Sequence, residues 1–131
     1  MTREKFDELC NIIAKLRAPD GCPWDRKQTA ETMRKSLLEE AGEAVEAIDK
    51  KDDENLKEEL GDVMLVVAMI ARIKEEEGSF SMSDVLSEVN AKLIRRHPHI
   101  FGDAKATTAE EVLALWNQVK EEEKKRKTSL Q

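Results

Sequence analysis

Residues 63 to 71, VMLVVAMIA, are nine consecutive positions without a polar side chain. A helix through them is apolar all the way round and has no face to offer water. Nine residues fall well short of the roughly 18 that a membrane span needs. Protein must therefore cover this helix on every side. Few other segments of a 131-residue chain can do so, and a second copy is expected to supply the missing cover, giving a symmetric dimer at least. Tyr is absent, aromatics make up 4% of the chain, and there are only five Gly and three Pro. That leaves little for sheets and suits amphipathic helices. The expected fold is all-α, a bundle of about four to five helices that associates as a dimer.

The helices can be placed by their apolar spacing. Phe6, Leu9, Ile12, Ile13 and Leu16 mark a first helix over 2–17. RAPDGCPWDRKQT, with two prolines and a glycine, reads as a loop. A second helix is expected from near Thr29 to about Lys51. Its apolar stripe centres near Ala41 and Ile48 by angular count. Asp52 or Asp53 can cap a third helix over 54–77, which carries the apolar run and ends at Gly78. Ser81 or Ser83 can cap a fourth helix through Leu86, Val89 and Leu93. Pro98 breaks the pattern, and His97 and His99 on either side of it are assigned no chemistry. A last helix starts near Thr107 or Thr108, with Glu110 and Glu111 at its positive end. The tail, about 121–131, is expected to fray. No repeat or second domain is visible, so residues 1–131 are expected to form one domain.

The net charge of −6, with both signs interspersed, argues against a nucleic-acid partner, which wants a basic face. It does not argue against a single nucleotide reached through metal ions. No apolar stretch is long enough for a membrane. Cys10 and Cys22 form no CxxC pair and read as reduced thiols. Together these features predict a cytoplasmic protein.

Within LLEEAGEAVEAI, residues 37–48, stand Glu39, Glu40, Glu43 and Glu46. Taken alone, Glu39 and Glu46 read as solvated surface. Glu40 falls at the edge of the apolar stripe and Glu43 beside it. The next helix repeats the theme in EELGD. Glu59 and Asp62 are three apart and share a face, and both enter the apolar surface. Bare carboxylates converging at the rim of a core are costly. Either they take up protons or a cation sits among them. Oxygen-only ligands select hard divalent ions such as Mg2+ or Mn2+. A di-iron bundle would want Glu-x-x-His on two helices, and the two histidines lie outside the helices.

The pattern Glu39-Glu40-x-x-Glu43, followed by Glu59-x-x-Asp62, resembles the signature of the MazG-type nucleoside triphosphate pyrophosphohydrolases. GCPWDRKQT (21–29), EELGDVML (58–65), KLIRRHPHIFGD (92–103) and EEVLALWNQVK (110–120) are similar to further blocks of that family in the same order. The resemblance implies Mg2+-dependent hydrolysis of an NTP or dNTP to NMP and diphosphate, with Mn2+ as a substitute metal. It implies Glu40, Glu43, Glu59 and Asp62 as metal ligands and Glu39 as a water-orienting group. It also implies Lys92 and Arg96 as a phosphate-contacting pair and Trp116 as a nucleotide-side residue. Trp24 and Gln28 lie in a loop that could cover the base. The implied partners are the NTP substrate and a second copy of the chain, as a homodimer or higher homo-oligomer. The alternative is a noncatalytic helical dimerisation module that retains the motif. A further reading, an acidic helical adaptor, would bind a partner protein and ignore nucleotides. The chain matches one domain of a family whose members often carry two in tandem.

Overall fold

The computed structural model describes residues 1–130, with side chains through residue 127. Seven helices and no strand occur among the described residues. Contacts gather in two compact units, Met1–Met82 and Ser83–Gln131.

The first unit is built from α1 (Thr2–Leu16), α2 (Pro23–Arg26), α3 (Ala30–Asp49) and α4 (Asp53–Glu76). Its longest contact is α3 against α4, with α1 packed on α4. Ile13, Met33, Val66, Ala68, Met69 and Ile73 form the core, with Leu9 and Ile70 packed against it. Two of the helix starts are fixed by side chains. The Thr29 hydroxyl accepts from Thr32 N, and the Thr32 hydroxyl accepts from Thr29 N, a reciprocal cap that satisfies two otherwise free amides. Asp52 accepts from Asn55 N at the head of α4, as the sequence predicts.

Both long helices end in a left-handed residue. After α3, Lys51 has φ 56°, while Asp52 N donates to Ala47 O and Lys51 N to Ile48 O. After α4, Gly78 has φ 75°, and Ser79 N donates to Lys74 O while Gly78 N donates to Glu75 O. This pairing satisfies carbonyls that the helix leaves free. Glycine takes that backbone without strain; Lys51 does not.

Two expectations need correction. The loop after α1 contains a helical turn, α2, with Pro23 at its first position, and the Pro98 break opens another, α6 (Pro98–Phe101). Proline's fixed φ and missing N–H suit that first position, so it starts a turn as readily as it ends one. The packed face of α3 is not centred on Ala41 and Ile48. Met33, Ala44 and Ala47 are buried, while Leu38, Val45 and Ile48 are 77%, 55% and 57% exposed. Alanine lets α3 approach α4 closely, and the larger apolar residues are left on a second face. The apolar run of α4, by contrast, is left partly uncovered by its own chain, as the sequence leads one to expect: Met64 is 44% exposed.

The second unit holds most of α5 (Met82–Arg95), then α6 and α7 (Ala109–Leu130). Thr108 Oγ1 accepts from Glu111 N at the head of α7. The helix continues through the stretch expected to fray as far as Leu130; the side chains of 128–130 and all of residue 131 lie outside the described residues.

Candidate active site

In the first unit, α3 and α4 bring Glu40, Glu43 and Glu59 together. One carboxylate oxygen of each lies within 4.8 Å of the others. Glu43 is exposed, while Glu40 and Glu59 are half-buried. One oxygen of Glu40 and one of Glu59 are buried with no hydrogen-bond partner among the described residues. A carboxylate without partners out of water strongly favours its neutral form or a cation.

The electrostatics show the strain of this arrangement. The Glu59 carboxyl is pushed up to about 7, first by its hydrogen bond with the Glu43 side chain and then by loss of water, with the charges of Glu43, Asp62 and Glu40 adding to it. Glu40 is also raised, chiefly by burial and then by the charge of Glu43. Three glutamates with converging carboxylate oxygens, two of which also carry a buried oxygen without a partner, fit a hard divalent cation.

Asp62 stands outside that trio. It lines an adjoining pocket of about 250 Å3 together with Glu40, and its charge reaches both Glu40 and Glu59. Leu16, Trp24, Met33, Leu65 and Met69 give the pocket apolar walls. Trp24, although it lines the pocket, is 61% exposed. Gln28 does not line it. Its amide donates to Trp24 O and its carbonyl accepts from the Thr32 hydroxyl, so it braces the turn that carries Trp24. Glu39 is exposed and pairs with Lys35 at 3.7 Å.

The second unit holds the basic candidates. Lys92 and Arg96 line a pocket of about 410 Å3 with Arg95, Arg126 and Lys127, balanced by Glu88 and Glu123. Arg96 lies over the Trp116 ring, 4.9 Å from its centroid, close enough for a cation–π contact. The His97 ring meets the same indole edge-on at 5.4 Å, and His97 Nδ1 is 2.6 Å from Leu93 O. Arg96 is not a free cation: its guanidinium donates to Glu123 at 2.8 Å, and Arg95 donates to the same carboxylate. The two guanidiniums hold the Glu123 carboxyl down to about 2. Sequence reasoning missed Glu123, since a glutamate in a charge-rich tail carries no signal of its own. It missed Arg17 for the same reason, although the Arg17 side chain is only 8% exposed.

The sequence model of the MazG nucleotide pyrophosphohydrolase domain matches residues 28–101. The chain is 49% identical over 124 residues to a nucleoside triphosphate pyrophosphohydrolase/pyrophosphatase MazG of Thermotoga maritima, covering 95% of this chain and 47% of that one. It is 43% identical over 124 residues to a nucleoside triphosphate pyrophosphohydrolase of Escherichia coli, covering 94% and 47%. The chain thus spans about half the length of the curated relatives it matches. Its fold is similar to the crystal structure of a mazG-related protein from Thermotoga maritima, with a TM-score of 0.73, 30% identity, and coverage of 88% of this chain and 98% of that one.

Proposed function

The chain belongs to the MazG nucleotide pyrophosphohydrolase family, and we propose that it hydrolyses nucleoside triphosphates to NMP and diphosphate with Mg2+. The observation that carries this reading is the convergence of Glu40, Glu43 and Glu59 on one point, with two buried carboxylate oxygens left without partners. A purely structural acidic cluster gains nothing from such crowding. A triphosphate carries about four negative charges near neutral pH, so carboxylates can approach it only across a cation.

Glu40, Glu43, Glu59 and Asp62 would hold the metal. Bound there, Mg2+ would offset phosphate charge and make a water more acidic. The protein's own groups supply the rest. Glu39, exposed beside the cluster in sequence, orients or takes the proton of the attacking water. The pocket walled by Trp24 and Leu65 holds the nucleoside end of the substrate. Lys92 and Arg96 take charge on the departing diphosphate, and Trp116 stands on the nucleotide side. A substrate drawn from the nucleotide pool, in either the ribo or the deoxy series, puts this work in the cytoplasm, as cleansing or control of that pool.

The chain acts as a dimer in this reading. Leu38, Val45 and Ile48 on α3, and Leu60 and Met64 on α4, are exposed large apolar residues. Such a face on a charge-rich protein calls for a partner, and a second copy offers the same face. The same observation favours the second reading, a noncatalytic dimerisation module that keeps the motif. Incubation with a panel of NTPs and dNTPs and Mg2+, resolving NMP from NDP and diphosphate from phosphate, separates the two. The enzyme yields NMP and diphosphate; NDP with orthophosphate, or no turnover of any triphosphate, rejects the proposal.

A further inference from the structure

Arg17 closes α1, and its guanidinium reaches three places at once. It donates to both oxygens of Glu76 at 2.9 Å and 3.2 Å, and to the backbone carbonyls of Asp25 and Gln28. Glu76 near the end of α4 is also held by Arg72, and the pair keeps its carboxyl below the usual range, the Arg17 hydrogen bond contributing most. Burying a guanidinium is costly unless its donors find acceptors, and here each of its three nitrogens has at least one. Two of its acceptors are carbonyls that bracket the end of the α2 turn. Gly21 completes the anchoring. A Cβ there would lie 2.3 Å from Leu16 O, while Cys22 N donates to that same oxygen at 2.8 Å.

The segment so anchored carries Trp24 and Asp25, both of which line the pocket beside Glu40 and Asp62. The turn has only four helical residues and contributes no residue to the buried core. Its position therefore depends on the hydrogen bonds that hold its backbone. A planar, five-donor guanidinium can fix two carbonyls and a carboxylate together; an ammonium cannot.

We propose that Arg17 and Glu76 are positioning residues for the substrate, setting the pocket wall formed by Trp24 and Asp25 and hence the affinity for the nucleotide, but not the rate of the chemical step. The proposal rests on the function given above. It accounts for an ion pair whose guanidinium is largely shielded from water, remote in sequence from every metal ligand and tied to the turn that borders the site.

The test uses Arg17→Lys and Glu76→Gln in the full chain. Each should raise KM for the preferred NTP about tenfold or more and leave kcat within about threefold, as lost uniform binding does. A merely structural role would lower active protein and melting temperature without moving KM. Limited trypsin digestion gives a readout independent of turnover. Cleavage after Arg26 and Lys27 should speed up severalfold in both variants, while cleavage at other sites keeps its rate. If one variant does not fold, the other decides. Unchanged KM, a fall in kcat alone, or unchanged trypsin cleavage at the turn would overturn the proposal. A wild-type chain that turns over no triphosphate refutes the parent function instead, and the trypsin result then decides alone whether the clamp exists.

Discussion

Replacing Glu59 with Gln keeps the side chain's shape and removes the charge that the cluster tolerates least. The wild-type carboxyl titrates at about 7, against about 4.5 for an ordinary glutamate. Metal must displace that proton, so affinity for Mg2+ should fall about tenfold from pH 8 to pH 6 and about a hundredfold by pH 5. Stability moves the other way. A carboxyl raised in the folded state holds its proton where the unfolded chain has lost it. The stabilising contribution is complete below about 4.5, the unfolded value, and is lost as pH rises through about 7. Metal-free wild type should therefore melt at progressively lower temperature across that window. Glu59→Gln should melt at the same temperature or higher near pH 8, with a flatter profile, because like-charge crowding is relieved. It should also gain less from Mg2+, as binding linkage requires. Titration calorimetry with Mg2+ and thermal melts in chelator, both over this pH range, provide the assay. Wild-type Mg2+ affinity that is flat from pH 6 to 8, or Glu59→Gln that is less stable than wild type without metal, would refute the reasoning.

Other substitutions probe separate parts of the account. Lys92→Ala and Arg96→Ala should each weaken nucleotide use at least tenfold in kcat/KM. Arg96→Ala should also lower the melting temperature, since it breaks the Glu123 pair and the Trp116 contact; unchanged kinetics in both would return the pair to plain surface. Val45→Lys or Ile48→Lys should convert a dimer to a monomer by light scattering at micromolar concentration, and a monomeric wild type would remove the association altogether. Lys51→Gly should stabilise the chain by about 0.5–1 kcal/mol in a denaturant melt, because the left-handed position then carries no Cβ. Gly21→Ala should do the opposite, costing about 2 kcal/mol or more, since its Cβ meets backbone rather than a movable side chain.

The long helices were legible because their signals are local. Thr29 and Asp52 are capping residues placed just before periodic apolar runs, and both cap. The carboxylate trio was legible for a related reason, since three- and four-residue spacings put Glu40, Glu43 and Glu59 at the packed edge of their helices. What periodicity could not do was choose between two apolar faces of α3. Ala44 and Ala47 score weakly as hydrophobes, yet close helix packing selects them and leaves Ile48 outside. The proline-led turns were missed because proline signals a break and a first helical position alike. Arg17, Glu76 and Glu123 were invisible because each owes its role to a partner 27 to 59 residues away, and a single charged residue announces no such partner. Asp62 shows the same limit from the other side: its spacing suggested a fourth member of the cluster, and its side chain lines the adjoining pocket.

The central claim is that the α3–α4 carboxylates serve metal-dependent cleavage of a triphosphate between its α and β phosphorus atoms. The most direct measurement is product analysis of an NTP incubated with Mg2+ and wild-type chain beside Glu59→Gln at matched concentration. The account predicts NMP and diphosphate in equal amounts from wild type, with the rate reduced by orders of magnitude in the variant. NDP and orthophosphate as products, or equal rates from the two proteins, would contradict it.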